Sequence, residues 1–513
     1  INVVTKEGST GIHGTALVRV RPAGKYHFGR NMYSKDNYDW TYYDLDYWSQ
    51  ESQNTESEFY GQDPQALLAQ WQKEITPNET LRDYTKRPEY ETELTIIGPI
   101  MKGINFLVSG RYKKTVGAFP QVIKYNPEYN FQGKLNYKIT SAIKLTLSGL
   151  VGGYESASVP SSNFNTTESA QEAAWYPYMQ ISDPYTSIKY LQEGTYAQWP
   201  ELRQVSNFAL KFNHVLSPQT FYEINLSYLY DDVDKSDRDN VVPDDKWAFD
   251  DDVFGMTGYF QTEGYFHNWD KFNSKVYSTQ GDLTSQVTNH HLVKAGFLAK
   301  TYDFSYEHAM RASEGGERWN LMNTFDGTPY EGAVYAQDKM EFAGLIVNAG
   351  VRIDFFNQNR AAAKNMYDPI AFQETTPGNI TPGLPGDPEM EDTKMQTAVS
   401  PRIGVSHPIT RNAVLHFVYG HFQQRPSWNK MFGFPYINYA TGSTYDDPFA
   451  QQTTYMDQWM GFYGNPKMGY ERTIQYEIGI DQNIAELFRL DITGYYKDGN
   501  RQTVFREGSV NDP

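Results

Sequence analysis

The sequence predicts an all-β fold, an antiparallel transmembrane β-barrel of which about fifteen strands are present. Three observations predict it. Apolar and polar residues alternate with a period of two along most of the chain, as in strands with one face of each kind. Short and long connections alternate between these segments. No stretch approaches the roughly 18 consecutive apolar residues that a transmembrane helix needs, so a membrane role requires strands.

The alternation assigns each strand residue to one of two faces. In the segment 345–355, Val347 and Val351 fall on the apolar side, whereas Asn348 and Arg352 fall on the polar side. We expect the apolar side to face lipid and the polar side to face the lumen, as in outer-membrane barrels. The residues that we expect to face the lumen are Arg111, Lys134, Arg352 and Glu477.

The connections differ in length from one side to the other. We expect short turns near 99–103, 141–143, 217–219, 289–291, 341–344, 410–412 and 484–486. We expect long connections at about 23–89, 158–202, 235–271, 309–329, 358–396 and 427–468, with a shorter one near 116–128. Outer-membrane barrels show this asymmetry, with tight periplasmic turns and long external loops. A soluble β-sandwich or propeller, the alternative, predicts short links on both sides.

Composition excludes several functions. The chain has no cysteine, which excludes a disulfide framework, a thiolate metal site and a cysteine nucleophile. Its formal net charge of -17 argues against nucleic-acid binding, because phosphate contact needs a basic surface. The 40 tyrosines, 29 phenylalanines and 10 tryptophans accompany a low mean hydropathy of -0.65, which excludes a bundle of transmembrane helices.

Four motifs, in order, resemble one family. They are the opening I-N-V-V-T-K-E-G of residues 1–8, G-T-A-L-V-R of 14–19, S-P-R-I-G-V-S of 400–406 with H-F-V-Y-G-H-F of 416–422, and G-N-P of 464–466 with E-R-T-I-Q-Y-E-I-G of 471–479. This set resembles the TonB-dependent outer-membrane receptors, and the opening is more similar to their carboxypeptidase-regulatory-like branch than to the SusC-like branch.

The resemblance implies a 22-stranded barrel filled by an N-terminal plug, of which the plug body and about seven C-terminal strands are missing here. Residues 1–9 then correspond to the last plug strand and 10–513 to a partial barrel with long extracellular loops. Because an unpaired strand edge is costly in a bilayer, we expect these residues alone to form an open, curved sheet.

The resemblance also implies energised uptake of a scarce ligand, a glycan, a peptide or a metal chelate, across the outer membrane of a Gram-negative bacterium. The expected partners are outer-membrane lipid, the TonB complex through the missing N-terminal region, a small extracellular ligand and, as a candidate, a surface lipoprotein. A structural barrel that anchors other envelope proteins is the first alternative, and an outer-membrane barrel enzyme is the second.

An acidic run is the candidate metal site. Asp232, Asp234 and Asp237 lie in a carboxylate-rich segment that we interpret as an external loop, where clustered carboxylates bind calcium. The EF-hand template fails, because Pro243 stands where its last glutamate belongs. The alternative is a solvated acidic loop without a metal. No other cofactor is expected.

An aromatic loop is the candidate ligand site. The connection 427–468 carries Trp428, Phe432, Tyr436, Trp459 and Tyr463, whose rings offer large contact areas to a sugar, peptide or porphyrin-like ligand. The alternative is that these rings pack the loop against itself. His290 and His291 fall in a predicted turn without metal-ligand spacing, and no hydrolase, metalloprotease or P-loop motif occurs, so we expect no enzyme.

Overall fold

A computed structural model describes residues 11–26, 44–57, 59–75, 84–116, 125–156, 201–236, 268–314, 317–366, 372–376, 379–385, 389–432 and 464–504. Within them the fold is dominated by one antiparallel sheet of 16 strands, which confirms the predicted fold class. Residues 1–9, the predicted plug strand, lie outside the described residues.

Fifteen strands follow one another across this sheet in nearly unbroken chain order. They are β1 His13–Arg21, β2 Glu89–Met101, β3 Ile104–Thr115, β4 Asn126–Lys138, β5 Ile143–Ser156, β6 Glu201–Ser217, β7 Thr220–Lys235, β8 Asn268–Thr288, β9 His291–Glu314, β11 Tyr330–Phe342, β12 Leu345–Asn357, β17 Gln396–Thr410, β18 Ala413–Gln424, β19 Glu471–Ile484 and β20 Phe488–Asn500. Strand β10, Glu317–Gly327, pairs only with β9. In the described part of the chain, β1 and β20 are the two edges of the sheet.

The long connections contain short strands and helices. Two hairpins form from β13 Ala361–Ala363 with β16 Met390–Asp392 and from β14 Phe372–Thr376 with β15 Asn379–Pro385. The helices are α1 Leu45–Gln53, α2 Pro64–Ile75 and α3 Trp428–Phe432, with a 3-10 turn at Tyr84–Lys86. None of the helices in the described ranges has the length and apolarity to cross a bilayer.

The register places residues on two faces, because directly opposed residues of paired strands share a face. A chain of such pairs joins the polar positions across the sheet: Lys134, Ser148, Ala209, Ser227, Ser278, Lys300 and Glu331, one from each of seven successive strands. We call this side the polar face. The opposite side, the apolar face, leaves large hydrocarbon and aromatic side chains exposed, including Val108 at 55%, Leu226 at 45% and Ile478 at 56%.

Tyrosines form a row on the apolar face toward the ends of the strands that carry the long connections. Tyr228 and Tyr277 pack at 5.1 Å between ring centroids, and Tyr419, Tyr476 and Tyr496 form a ladder with spacings of 5.1 and 6.3 Å. Beyond Tyr277 the apolar face turns polar, with Lys275 paired to Asp303 at 3.5 Å. Aromatic residues that separate an apolar band from a polar rim are typical of membrane barrels.

The predicted short turns are all present. Strand pairs close over a few residues at each predicted position, for example β11 to β12 across 343–344, where Gly344 has φ +91°. That backbone conformation favours glycine, because a Cβ would clash with the following carbonyl.

Two long connections hold more structure than predicted. The predicted loop 309–329 is wrong, because β9 and β10 continue as a paired hairpin through most of it. Within 23–89, α1 and α2 pack around Trp48, which is fully buried against Phe59 at 5.5 Å between ring centroids. In this connection the tryptophan therefore packs the loop against itself.

Candidate functional site

The four residues that we expected to face the lumen share the polar face. Arg111 lies opposite Asn130 of β4, and Lys134 follows on that strand at a spacing of four, so both point to one side. Arg352 lies opposite Tyr335 of β11, and Glu477 lies opposite Val418 of β18, and both partners belong to the polar face.

Ion pairs neutralise much of the polar face. Arg111 donates to Glu91 through two nitrogens at 2.8 and 2.9 Å and to Glu128 at 3.1 Å, and Glu91 also accepts from Arg19 at 3.0 Å. Arg352 donates to Asp354 at 2.8 Å. These pairs join adjacent strands or successive positions of one face, so they hold charged side chains flat against the sheet.

An aromatic core covers the polar face at the end of the long connections. We call it the loop-base cluster; its buried members are Phe304, Phe325, Phe356, Met431 and Phe432. Phe304 and Phe432 meet edge to face at 5.1 Å between centroids, a favoured geometry for aromatic pairs. The cluster therefore fastens helix α3, and with it the start of the connection 427–468, to strands β9, β10 and β12.

A charged group lies beside this cluster. Glu331 at the start of β11 accepts from the Tyr302 hydroxyl at 2.6 Å and from Arg425 Nε at 3.0 Å, with Lys300 Nζ at 3.5 Å. The Arg425 guanidinium also lies 3.6 Å from the centroid of the Trp428 ring, a cation–π contact. One arginine thus ties β18 both to β11 and to helix α3.

Two long connections interlock above the cluster. Gln358 is fully buried, and its amide nitrogen donates to the Met468 carbonyl at 3.2 Å and contacts Met431 Sδ at 3.4 Å. Lys467 pairs with Glu391 of β16 and donates to the Lys364 carbonyl at 2.9 Å. The segments 358–364, 389–395 and 464–470 therefore form one packed unit.

Burial and these contacts shift the pKa of three side chains in the long connections. Burial, with the negative charges of Asp354 and Glu331, raises the pKa of the Tyr470 hydroxyl, so it stays protonated in ordinary conditions. The hydrogen bond from Lys467 lowers the pKa of the Glu391 carboxyl. Lys364 has the same effect on the pKa of Glu389.

Of the five predicted aromatic ligand residues, the structure describes Trp428 and Phe432. Phe432 is 1% exposed and Trp428 packs against the cluster, so for these two the packing alternative describes what is observed. Tyr436, Trp459 and Tyr463 lie outside the described residues. Their ligand role stays a prediction.

The predicted metal residues begin in a strand. Asp232 and Asp234 lie in β7, on the side of the apolar face but above its tyrosine row, and Asp232 accepts from Asn273 at 2.8 Å. Asp237 lies outside the described residues. Among those that the structure describes, no three His, Cys, Asp or Glu side chains converge as a metal site. The interpretation of this part as a loop is therefore corrected, and the calcium hypothesis stays a prediction.

A cleft of about 400 Å³ opens at the far ends of β7 to β10. Its lining mixes carboxylates with aromatic rings: Asp232, Asp234, Glu307 and Asp326 beside Phe272, Tyr306 and Phe325. Most of the lining residues are polar or charged. It adjoins the loop-base cluster, because Phe325 belongs to both.

Sequence reasoning missed the residues that organise this region. Glu331 and Arg425 are 94 positions apart, and Gln358 and Met468 are 110 apart, so a periodic pattern in one chain carries no signal for their pairing. One local feature was available: Arg425 lies three positions before Trp428, and such a cation can reach the ring for a cation–π contact.

The chain is similar to a family model and to several solved structures. Residues 158–512 match the family model described as TonB dependent receptor-like, beta-barrel. Solved structures with a similar fold include the ferric-catecholate import receptor Fiu of E. coli K12 (TM-score 0.45, 14% identity, covering 80% of this chain and 56% of that one). For the FrpB iron transporter of Neisseria meningitidis the TM-score is 0.46 and the identity 11%, and the match covers 80% of this chain and 52% of that one. For the alcaligin receptor FauA of Bordetella pertussis the TM-score is 0.47 and the identity 9%, and the match covers 82% of this chain and 51% of that one.

The chain thus spans a little over half the length of these solved structures. No curated protein sequence gives a significant match. The family model extends over more than half of the chain and over strands β6 to β20, where the two-faced sheet and the loop-base cluster lie. The chain belongs to the TonB-dependent receptor-like β-barrel family.

Proposed function

We propose that this protein is an outer-membrane receptor of a Gram-negative bacterium that takes up a scarce ligand. One observation carries the proposal: a long antiparallel sheet keeps ion-paired polar residues on one face and exposed hydrocarbon with a tyrosine row on the other. A sheet whose apolar face is exposed needs lipid to cover it, and a polar inner face suits a water-filled or plugged lumen.

The two ends of the sheet then have different roles. The long connections face outward and meet the ligand first, while the short turns face the periplasm. The polar face, with Arg111, Lys134, Arg352 and Glu477, lines the lumen through which the ligand passes. The TonB complex supplies energy through a region that precedes the barrel, and a surface lipoprotein is a candidate partner.

We propose a glycan, a peptide or a metal chelate as the ligand class, since the mixed carboxylate and aromatic cleft offers both hydrogen bonds and ring faces. A deletion strain tests uptake. Growth on each ligand class as the limiting nutrient should slow in the deletion strain and recover when the nutrient is abundant, because only scarce ligands need an energised receptor. Unchanged growth on every limiting nutrient, together with release of envelope proteins from the surface, would favour the anchoring alternative instead.

The topology has its own test. Protease added to intact cells should cleave within 23–89 and 427–468 and spare the short turns, because exposed connections are the preferred sites of cleavage. Cleavage at the turns near 217–219 and 343–344, with the long connections spared, would show that the chain runs the opposite way across the membrane.

A further inference from the structure

Three polar side chains lie together on the apolar face, one in the tyrosine ladder and two just beyond it. They are Tyr419 and His421 of β18 and Arg472 of β19, which lie on the same side as Phe417 and Ile478. Arg472 lies twelve positions from the end of β19 at the short turn, about the length that a tilted strand needs to cross the hydrocarbon layer. The three side chains therefore lie at the outer edge of the apolar band.

Their hydrogen bonds run in one direction. Arg472 Nη2 lies 3.4 Å from His421 Nδ1, and a guanidinium can only donate, so Nδ1 is the acceptor. The hydrogen of the neutral imidazole is then on Nε2, which lies 2.6 Å from the Tyr419 hydroxyl oxygen and donates to it. The Tyr419 hydroxyl hydrogen is left to donate to an acceptor outside the chain of three.

The arginine charge is not neutralised. In the described part of the chain no carboxylate lies within 4.0 Å of the Arg472 guanidinium, although Asp498 shares its face opposite Ile474, and Nε of Arg472 is buried without an acceptor in the protein. Lys275, a cation at a similar level of the same face, is instead paired with Asp303. A guanidinium at the edge of a membrane with unused donors calls for an anionic acceptor.

We propose that Arg472 and Tyr419 bind the headgroup phosphate of an anionic lipid in the outer leaflet. The guanidinium supplies the charge and the Nη hydrogens that His421 does not use, and the tyrosine adds a further donor oriented by His421. The Tyr476 and Tyr496 rings, 42% and 64% exposed, lie beside them and cover the start of an acyl chain. The inference rests on the membrane location proposed above.

The experiment uses the native protein purified from outer membranes and exchanged into vesicles of phosphatidylcholine with or without phosphatidic acid. Native mass spectrometry counts the lipids that each variant retains. Wild type should retain phosphatidic acid over phosphatidylcholine; Arg472→Gln should weaken that retention about tenfold or more, and Tyr419→Phe by less, since one charged hydrogen bond contributes more than one neutral one. Lys275→Gln, whose cation is already paired, should match wild type.

Each other outcome counts against the proposal in a distinct way. Equal retention of phosphatidic acid by wild type and Arg472→Gln, or equal losses in Arg472→Gln and Lys275→Gln, would overturn a specific site. Full displacement by inorganic phosphate would identify a free-anion site instead of a lipid site. A wild-type protein that retains no lipid of either kind would overturn the membrane location itself. Heat-dependent migration on SDS gels confirms that every variant is folded, and Tyr419→Phe keeps the test decisive if Arg472→Gln fails to fold.

Discussion

A pair of adjacent residues provides the sharpest test of the two-faced sheet. Leu226 and Ser227 are neighbours near the middle of β7, six and seven positions from its start at the short turn. Leu226 lies on the apolar face at 45% exposure, opposite Leu210 and Thr279. Ser227 lies on the polar face opposite the small residues Ala209 and Ser278. Arginine at each position adds the same charge at the same depth, on opposite sides.

The expected costs differ widely. An arginine facing lipid near the bilayer centre costs about 2–4 kcal/mol, whereas a substitution at a solvated surface stays within about 0.5 kcal/mol. Little else changes, because Leu226 is already half exposed and the arginine stem covers part of its contacts. The cost of about 2–4 kcal/mol corresponds to an equilibrium constant for unfolding that is about 30- to 700-fold larger for Leu226→Arg than for wild type.

The assay is unfolding by urea of the native protein in phospholipid vesicles, followed by the shift in mobility between folded and unfolded forms on SDS gels. Leu226→Arg should unfold at clearly lower urea and accumulate less in outer membranes, while Ser227→Arg should behave as wild type. Equal tolerance of both variants, or greater damage at Ser227, would refute the assignment of faces on which the lipid and lumen interpretations depend.

Three further predictions concern the loops and the packing of the sheet. Arg425→Ala removes the guanidinium that joins β11, β18 and helix α3, so it should destabilise that junction by about 1.5–3 kcal/mol and speed protease cleavage within 427–468 on intact cells. Gly296→Ala would place a Cβ 2.6 Å from a backbone carbonyl oxygen, so it should lower the free energy of unfolding in urea by about 1–3 kcal/mol. Gly133→Ala, whose Cβ would meet nothing within 4 Å, should leave that free energy unchanged. The pKa of Glu391 is lowered in the folded state from 4.5, so the stability that its bond to Lys467 contributes is present above that value and is lost as the pH falls through the folded pKa. The protection of the amides in 389–395 against hydrogen exchange, taken relative to the intrinsic rate at each pH, should therefore fall in acid, and unchanged protection would contradict the prediction.

Sequence reasoning predicted the part of the fold that repeats. Each strand of the large sheet has one apolar and one polar side, so alternation marks both the strand and its faces, and the short turns follow from the breaks in the pattern. Arg352 could be assigned to the polar face from its neighbours Val351 and Ile353 alone, and the register places it there.

The same reasoning failed at the strand ends that carry the long connections. The segment 309–329 was mistaken for a loop, although Trp319, Leu321 and Phe325 alternate there with Arg318, Asn320 and Thr324 as in a strand, so a signal in the sequence was overlooked. Helix α2 did carry a signal, since Asp63 accepts from the Gln65 amide and Pro64 occupies the first helical position. The loop-base contacts carried none, because they join residues that are distant in sequence.

The interlocked connections limit how this receptor can be re-engineered or can exchange parts with relatives. A graft that replaces 427–468 alone would remove the Met468 carbonyl and the Lys467 ammonium, which would leave the Gln358 amide buried without an acceptor and Glu391 without its cation. The smallest transferable unit is therefore a pair of connections, 358–396 together with 427–468. Recombination should exchange the two as one cassette, and chimaeras that split them should fold poorly even when every barrel strand is retained.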